Sequence, residues 1–206
     1  MKRILIACEE SQAVCIEFRK LWFEAYSCDI QECSWWHPER HLQWDVLNYL
    51  NQEWDLIIAH PPCTYLSNAW ARRLYAWWEL NKDRYNKWLE AKDFFMKFYN
   101  HKCKHIVIEN PLPSKIYNLP KYSQIIQPYE YWHPYSKKTL LWIKWLPNLK
   151  PTNVVWDIVP FLPSNTWWKK RGQKATKWIV NNAKDASKTF SWIAKAMAEQ
   201  WWKIIN

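Results

Sequence analysis

Glycine is nearly missing from this chain: its 206 residues contain one. Average usage of about 7% would put roughly 14 glycines in a chain of this length. Long apolar runs are missing as well. The longest are strand-sized, which excludes a helical membrane span. No signal-peptide pattern precedes the apolar run Arg3–Ala7, and the six cysteines lack the paired spacing of small disulfide-stapled domains. A reducing cytoplasm is the expected compartment. Acidic residues are outnumbered, 19 Asp and Glu against 29 Lys and Arg, and the resulting net charge of +10 favours a polyanionic partner. The length suits one ordinary domain, or one with a small appendage.

Tryptophan is present in surplus, at 19 residues, and its placement is unusual. Trp35-Trp36 and Trp77-Trp78 are doublets in polar, turn-like stretches. Trp44 precedes Asp45, and Trp145 precedes Leu146-Pro147. Turns that need positive φ want glycine, and an indole there is strained and exposed. The expectation is that most of these tryptophans stand for UGA codons that the source organism reads as glycine, the alternative being a genuinely Trp-rich protein. Trp54, Trp142 and Trp201 lie in apolar, periodic contexts and read as true tryptophans.

The first two thirds alternate strand and helix. Strands are expected at Arg3–Ala7, Ala25–Cys28, Asp55–Ala59 and His105–Glu109. Helices are expected at Ser11–Lys20, with Ser11 as N-cap and residue 22 as the lost C-terminal glycine, and at Asn81–Tyr99, with Leu89, Phe94, Phe95 and Phe98 on its core side. Asp45–Leu50 reads as a short helical turn. Strands separated by helices argue for an α/β fold, a parallel sheet covered on both faces. Gln124–Gln127 and Thr139–Lys144 add strands. The expected organisation is a core over residues 1–145, a short loop-rich basic insertion over 146–186, and a C-terminal helix over 187–206 with Ile193, Met197 and Trp201 on one face.

In open α/β sheets, ligands bind beyond the carboxyl ends of the strands. The residues at those ends are Cys8-Glu9-Glu10-Ser11, Asp29, His60-Pro61-Pro62-Cys63 and Glu109-Asn110-Pro111. Asp29 can accept both hydroxyls of a ribose or be a solvated loop acid. Asp45 can lie near an adenine amino group, cap the turn that follows it, or do both. Two prolines stiffen the loop before Cys63, so its thiol is held, which suits a nucleophile as well as a structural cysteine. Glu109 is a candidate general acid if it meets Cys63 across the sheet edge. Cys28, Cys33, His37 and His41 could in principle hold zinc, but the separation of the two pairs is far below the finger pattern of about 12 residues, and no metal is expected. Lys137, Lys138, Lys169, Lys170 and Arg171 could track phosphates or form a solvated charged surface.

The order of these motifs resembles that of the DNA cytosine-5 methyltransferases, in particular small phage-type members. The likeness runs from Ile4 to about Trp201. Asp-Leu-Ile-Ile-Ala-His-Pro-Pro-Cys (55–63) is similar to the family's Pro-Cys nucleophile motif, and Ile-Glu-Asn-Pro (108–111) to its Glu-Asn motif. Trp132-His-Pro-Tyr-Ser-Lys-Lys-Thr-Leu-Leu-Trp-Ile-Lys-Trp145 is similar to its basic strand motif, which carries glycine at both ends. The resemblance implies a Rossmann-like sheet binding S-adenosylmethionine. It implies Cys63 as nucleophile at carbon 6 of cytosine, Glu109 at ring nitrogen 3, and support from Asn110 and Lys137. Cofactor contacts would come from Cys8, Glu9, Ser11, Asp29, Asp45 and Pro61, and DNA contacts from Lys138, Lys169, Lys170 and Arg171. A monomer acting on DNA in the cytoplasm, that of the host cell for a phage product, is the implied setting. Ala7-Cys8-Glu9-Glu10-Ser11 replaces the family's glycine-rich first motif, and His60 stands where glycine is common. The rival readings are a nucleic-acid-binding module that keeps the fold without turnover, and an enzyme acting on a free or premodified pyrimidine nucleotide.

Overall fold

The structure is a computed structural model that describes residues 1–35, 37–76, 78–160 and 188–205. Seven strands form one sheet: β1 (Arg3–Ala7), β2 (Glu24–Asp29), β3 (His41–Gln43), β4 (Leu56–Ala59), β5 (His105–Pro111), β6 (Gln124–Ile126) and β7 (Thr139–Lys144). Their order across the sheet is β3-β2-β1-β4-β5-β7-β6. The pairings from β3 through β5 are parallel, whereas β7 runs antiparallel to both β5 and β6. The sheet is thus parallel through the strands that alternate with helices, as the sequence suggests, and becomes mixed where β7 and β6 are added. β6 and β7 lack an intervening helix, so nothing in that stretch enforces a parallel crossover.

Among the described residues, four α-helices accompany the sheet: α1 (Ala13–Lys20), a single turn α2 (Asn68–Ala71), α3 (Lys82–Tyr99) and α4 (Ser191–Ile205). The central strands carry unbroken apolar runs, Ile4 to Ala7, Leu56 to Ala59 and Ile106 to Ile108, because both faces are covered. On one face Ile4, Ile6, Leu56, Ile58 and Val107 pack with Val14 and Phe18 of α1 and with Ile193, Met197 and Trp201 of α4. On the other, Leu5, Ile57, Ile106 and Ile108 pack with Phe95 and Phe98 of α3. Each such fully buried side chain contributes about 1.5–3 kcal/mol. The result is a Rossmann-like α/β sheet with helices on both faces, as expected.

Local differences have local causes. α3 buries Phe95 and Phe98 but leaves Leu89 41% exposed, so its core stripe is narrower than four residues. α1 begins after Gln12, not Ser11. The Glu9 carboxylate caps it, Oε1 accepting the Val14 amide at 2.7 Å and Oε2 the Cys15 amide at 3.2 Å. Strand β3 escaped the sequence reading because three residues carry too little periodicity. Residues at the start of the expected insertion are tied to the sheet: Gln124 exchanges two hydrogen bonds with the Leu149 backbone, at 2.7 and 2.8 Å.

The tryptophans divide into two populations. Of the seven described non-glycine residues with positive φ, four are tryptophans: Trp22 (66°), Trp78 (73°), Trp132 (65°) and Trp145 (57°). Their exposures are 83%, 97%, 54% and 79%. By contrast Trp54, Trp142 and Trp201 are at most 8% exposed. Each of these three indole N–H groups donates to a backbone carbonyl, of Tyr49, Pro120 and Pro147 respectively, at 2.7–2.9 Å. A buried Trp normally finds such a partner.

Candidate active site

Strand order reverses between β1 and β4, and a crevice forms beyond the carboxyl ends of strands at such a switch point. Here that crevice is a cavity of about 560 Å³, within the size range of small-molecule sites. It is lined from every strand end that converges there. β1 supplies Cys8, Glu9, Glu10 and Ser11, β2 supplies Asp29, the β4 loop supplies His60 to Thr64, and β5 supplies Glu109 and Pro111. Lys137 and Thr139 enter from the start of β7, and Lys188 and Thr189 from the approach to α4. Cys63 and Glu109 thus face one space.

The loop after β4 is held at both ends. The His60 amide donates to the Ala7 carbonyl at 2.9 Å, and Asn110 Nδ2 donates to the Pro61 carbonyl at 2.9 Å. Asn110 is buried and does not line the cavity; its amide positions the loop instead. Cys63 then opens the short 3-10 turn Thr64–Leu66. Burial pushes the Cys63 thiol up, with the nearby Lys137 ammonium offsetting part of that and Glu109 adding to it. The resting group is a thiol.

Glu109 has two side-chain partners in the site. Its Oε2 accepts from Thr189 Oγ1 at 3.1 Å and lies 2.8 Å from His60 Nδ1. Burial alone would raise its carboxyl, but the His60 hydrogen bond and charge, with Lys137 and Thr189, bring it below the ordinary carboxylate value. His60 moves the other way. Burial would lower it, and the hydrogen bond and charge of Glu109, with Glu9 beyond, carry it above the ordinary imidazole value. Lys137 sits 5.6 Å from the Phe190 ring and influences both Cys63 and Glu109.

At the opposite end of the cavity, Asp29 Oδ1 accepts the Gln31 amide at 2.9 Å. Asp45 caps the turn Val46–Asn48, Oδ1 accepting the Leu47 amide at 2.9 Å, and is not among the lining residues. Cys8 has φ 59° and Gln12 φ 55°, so the backbone of the first loop keeps left-handed turns without glycine. Burial, followed by the charge of Asp29, drives the Cys8 thiol upward. Pro61 lines the cavity, and Lys138, an exposed cation, lies in sequence between the lining residues Lys137 and Thr139. Lys169, Lys170 and Arg171 lie outside the described residues. The four residues weighed as zinc ligands have separate partners: Cys28 the Trp44 carbonyl, Cys33 the Trp35 backbone, His37 the Glu39 carboxylate, and His41 both Ser27 and the Gln31 carbonyl. No group of three or more metal-ligating side chains forms among the described residues. No described helix is long and apolar enough to cross a membrane.

Sequence reasoning did not anticipate the roles of His60 and Thr189. The signal for His60 was its place at a strand end, opposite Glu109 on the neighbouring strand. Thr189 carried no signal, since its contact with Glu109 depends on how the approach to α4 packs against the end of β5.

No family model matches the chain, and no curated protein does. Among solved structures, the chain is similar to the Entamoeba histolytica methyltransferase EhMeth, at 14% identity over 75% of this chain and 58% of that one, with a TM-score of 0.46. It is also similar to a mutant of Spodoptera frugiperda DNMT2, at 13% identity over 79% of this chain and 56% of that one, with a TM-score of 0.40. The chain thus spans less than two thirds of the length of either protein, and overlaps of this extent carry no argument about its activity.

Proposed function

We propose that this chain transfers a methyl group from S-adenosylmethionine to carbon 5 of cytosine in DNA, through a covalent adduct with Cys63. The observation that carries this reading is the convergence of Cys63, Glu109 and Lys137 on one cavity whose other end holds Asp29 after the second strand. A carboxylate after β2 is suited to the hydroxyls of a ribose, and Asp29 Oδ2 takes no hydrogen bond among the described residues. The cavity volume of about 560 Å³ also suits a nucleoside cofactor together with one flipped base.

S-adenosylmethionine, when bound, supplies an electrophilic methyl group. The chain's own residues prepare the base. The Cys63 proton passes to solvent in the cleft as the base enters, and Lys137 stabilises the thiolate that forms. The thiolate adds to carbon 6 while Glu109 protonates or hydrogen-bonds ring nitrogen 3, so that carbon 5 becomes nucleophilic. Asn110 keeps the Pro61-Pro62-Cys63 loop in register through the Pro61 carbonyl. The carbon-5 proton then passes to solvent, its bonding pair forms the carbon 5–carbon 6 double bond, and the carbon 6–sulfur bond breaks to return the thiolate of Cys63. The net positive charge, with Lys138 beside the cleft, favours a nucleic-acid substrate over a free nucleotide.

The test is methyl transfer from labelled cofactor to a cytosine oligonucleotide, with dCMP as competitor. Formation of 5-methylcytosine in the oligonucleotide, little reduced by excess dCMP, is expected. Cofactor binding without transfer would leave a binding module. Strong competition by dCMP would move the substrate to free nucleotides.

A further inference from the structure

His60 lies directly after β4, and the register pairs Ala59 with Ile108, so His60 and Glu109 are neighbours across adjacent strand ends. Both side chains are only 13% exposed, and Nδ1 and Oε2 are 2.8 Å apart. Thr189 Oγ1 addresses the same oxygen at 3.1 Å. Oε1 takes no hydrogen bond among the described residues, and Glu109 lines the cavity. Two donors therefore fix the carboxyl by one oxygen and leave the other for a ligand. The far nitrogen of His60, Nε2, is buried without a hydrogen-bond partner.

We propose that His60 is a positioning residue that holds Glu109 by Oε2 and shares with it the proton that Glu109 passes to the base. This rests on reading the cleft as a cytosine site. The charged groups around the pair are Glu9 beside His60, Lys137 beside Glu109 and Cys63, and Lys188, which lines the cavity next to Thr189 with its ammonium 4.0 Å from Glu10. The Glu109 carboxylate, 2.8 Å from the ring, favours an imidazolium in the resting pair. Opposite shifts of the two groups, imidazole up and carboxyl down, agree with that placement.

The proton balance is simple. The pair carries one proton more than a neutral imidazole plus a carboxylate. At rest that proton sits on His60. In the reactive tautomer the His60 Nε2–H bond has broken and a Glu109 Oε1–H bond has formed, solvent in the cleft carrying the proton between them, and neutral His60 donates Nδ1–H to Oε2. As the base is activated, the Oε1–H bond breaks and an N3–H bond forms. His60 stays neutral, its Nδ1–H steadying the carboxylate left behind. The proton returns to Oε1 when the adduct eliminates. A purely structural histidine would hold the loop equally well but would not set the pH range of the acid.

The experiment is the pH profile of kcat/KM for methyl transfer to a cytosine oligonucleotide, wild type against His60→Asn. The wild type should fall off above the titration of the pair, which lies above the ordinary imidazole value of about 6.5. In His60→Asn only a carboxyl facing Lys137 remains, so the alkaline limb should move toward acid by about one pH unit or more. At pH 8 the variant should lose about 10²- to 10⁴-fold, the usual contribution of a general acid. An alkaline limb unmoved from wild type would overturn the proposal. Should His60→Asn fail to fold, NMR titration of the His60 ring decides the matter in wild type against Glu109→Gln. The titration point should drop below about 6.5 in the variant, since burial then acts unopposed; an unchanged titration point would overturn the pairing. NMR coupling without 5-methylcytosine in any assay would instead sink the functional reading and leave the pair intact.

Discussion

Replacing Trp22, Trp78, Trp132 and Trp145 together by glycine should stabilise this protein substantially. All four hold left-handed backbone, with φ between 57° and 73°, and each side chain is at least 54% exposed. A residue with a Cβ in that region costs about 1–2 kcal/mol relative to the right-handed one. Glycine relieves that strain but adds freedom to the unfolded chain, which takes back a few tenths to about 1 kcal/mol. The net gain is about 1 kcal/mol per site and about 4 kcal/mol for the set, against a total stability of about 5–15 kcal/mol for an ordinary domain. At about 2–4 °C per kcal/mol for this size, Tm should rise by about 8–16 °C. The assay is thermal unfolding by circular dichroism of both versions. Trp54→Gly is the opposing control, since Trp54 is 8% exposed and donates to the Tyr49 carbonyl; it should cost about 3–5 kcal/mol or more. Unchanged or lower stability in the fourfold variant would refute the reasoning. The same logic predicts UGA codons at the four left-handed positions and UGG at 54, 142 and 201, which sequencing of the gene reads directly.

Cys63→Ser should abolish methyl transfer while leaving cofactor affinity by calorimetry within a few-fold of wild type. Asn110→Ala leaves the buried Pro61 carbonyl without its donor and should cost about 1–3 kcal/mol in urea unfolding. It should also lower kcat more than cofactor affinity, because the loop that carries Cys63 loses its tether. Glu9→Ala removes the carboxylate that caps α1 and should cost about 0.5–2 kcal/mol by the same measurement. The His60–Glu109 pair makes stability depend on pH from both sides. The depressed Glu109 carboxyl contributes above its ordinary value and loses that contribution as pH falls through its folded value. The raised His60 contributes below its ordinary value and loses that contribution as pH rises through its folded value. The stability difference between wild type and His60→Asn should therefore peak between about pH 4.5 and 6.5 and shrink on either side.

Much of this architecture is written locally. The apolar runs at Ile4, Leu56 and Ile106 can only be central strands, and the residues that follow them had to meet at one sheet edge. That is why Cys63, Glu109 and Asp29 could be placed in one cleft before any coordinates. Other features depend on tertiary packing. Gln12 has no sequence mark of a left-handed N-cap, and Glu9 caps α1 only because the first loop folds back over the helix start. The resemblance to the Glu-Asn motif marks Asn110 without indicating that its amide spans to the Pro61 carbonyl. The pairing of His60 with Glu109 needs the β4–β5 register, which no single segment encodes. The left-handed tryptophans are the converse case, a local signal in the sequence that the backbone angles match at Trp22, Trp78, Trp132 and Trp145.

The central claim is that Cys63 and Glu109 act on the same pyrimidine ring. An oligonucleotide carrying 5-fluorocytosine, incubated with the chain and S-adenosylmethionine, tests it most directly, because fluorine at carbon 5 cannot leave as a proton does. The account predicts a denaturation-resistant protein–DNA adduct that requires the cofactor, maps to the peptide containing Cys63, and is lost in Cys63→Ser. Methyl transfer to ordinary cytosine with no such adduct, or an adduct at another cysteine, would contradict it.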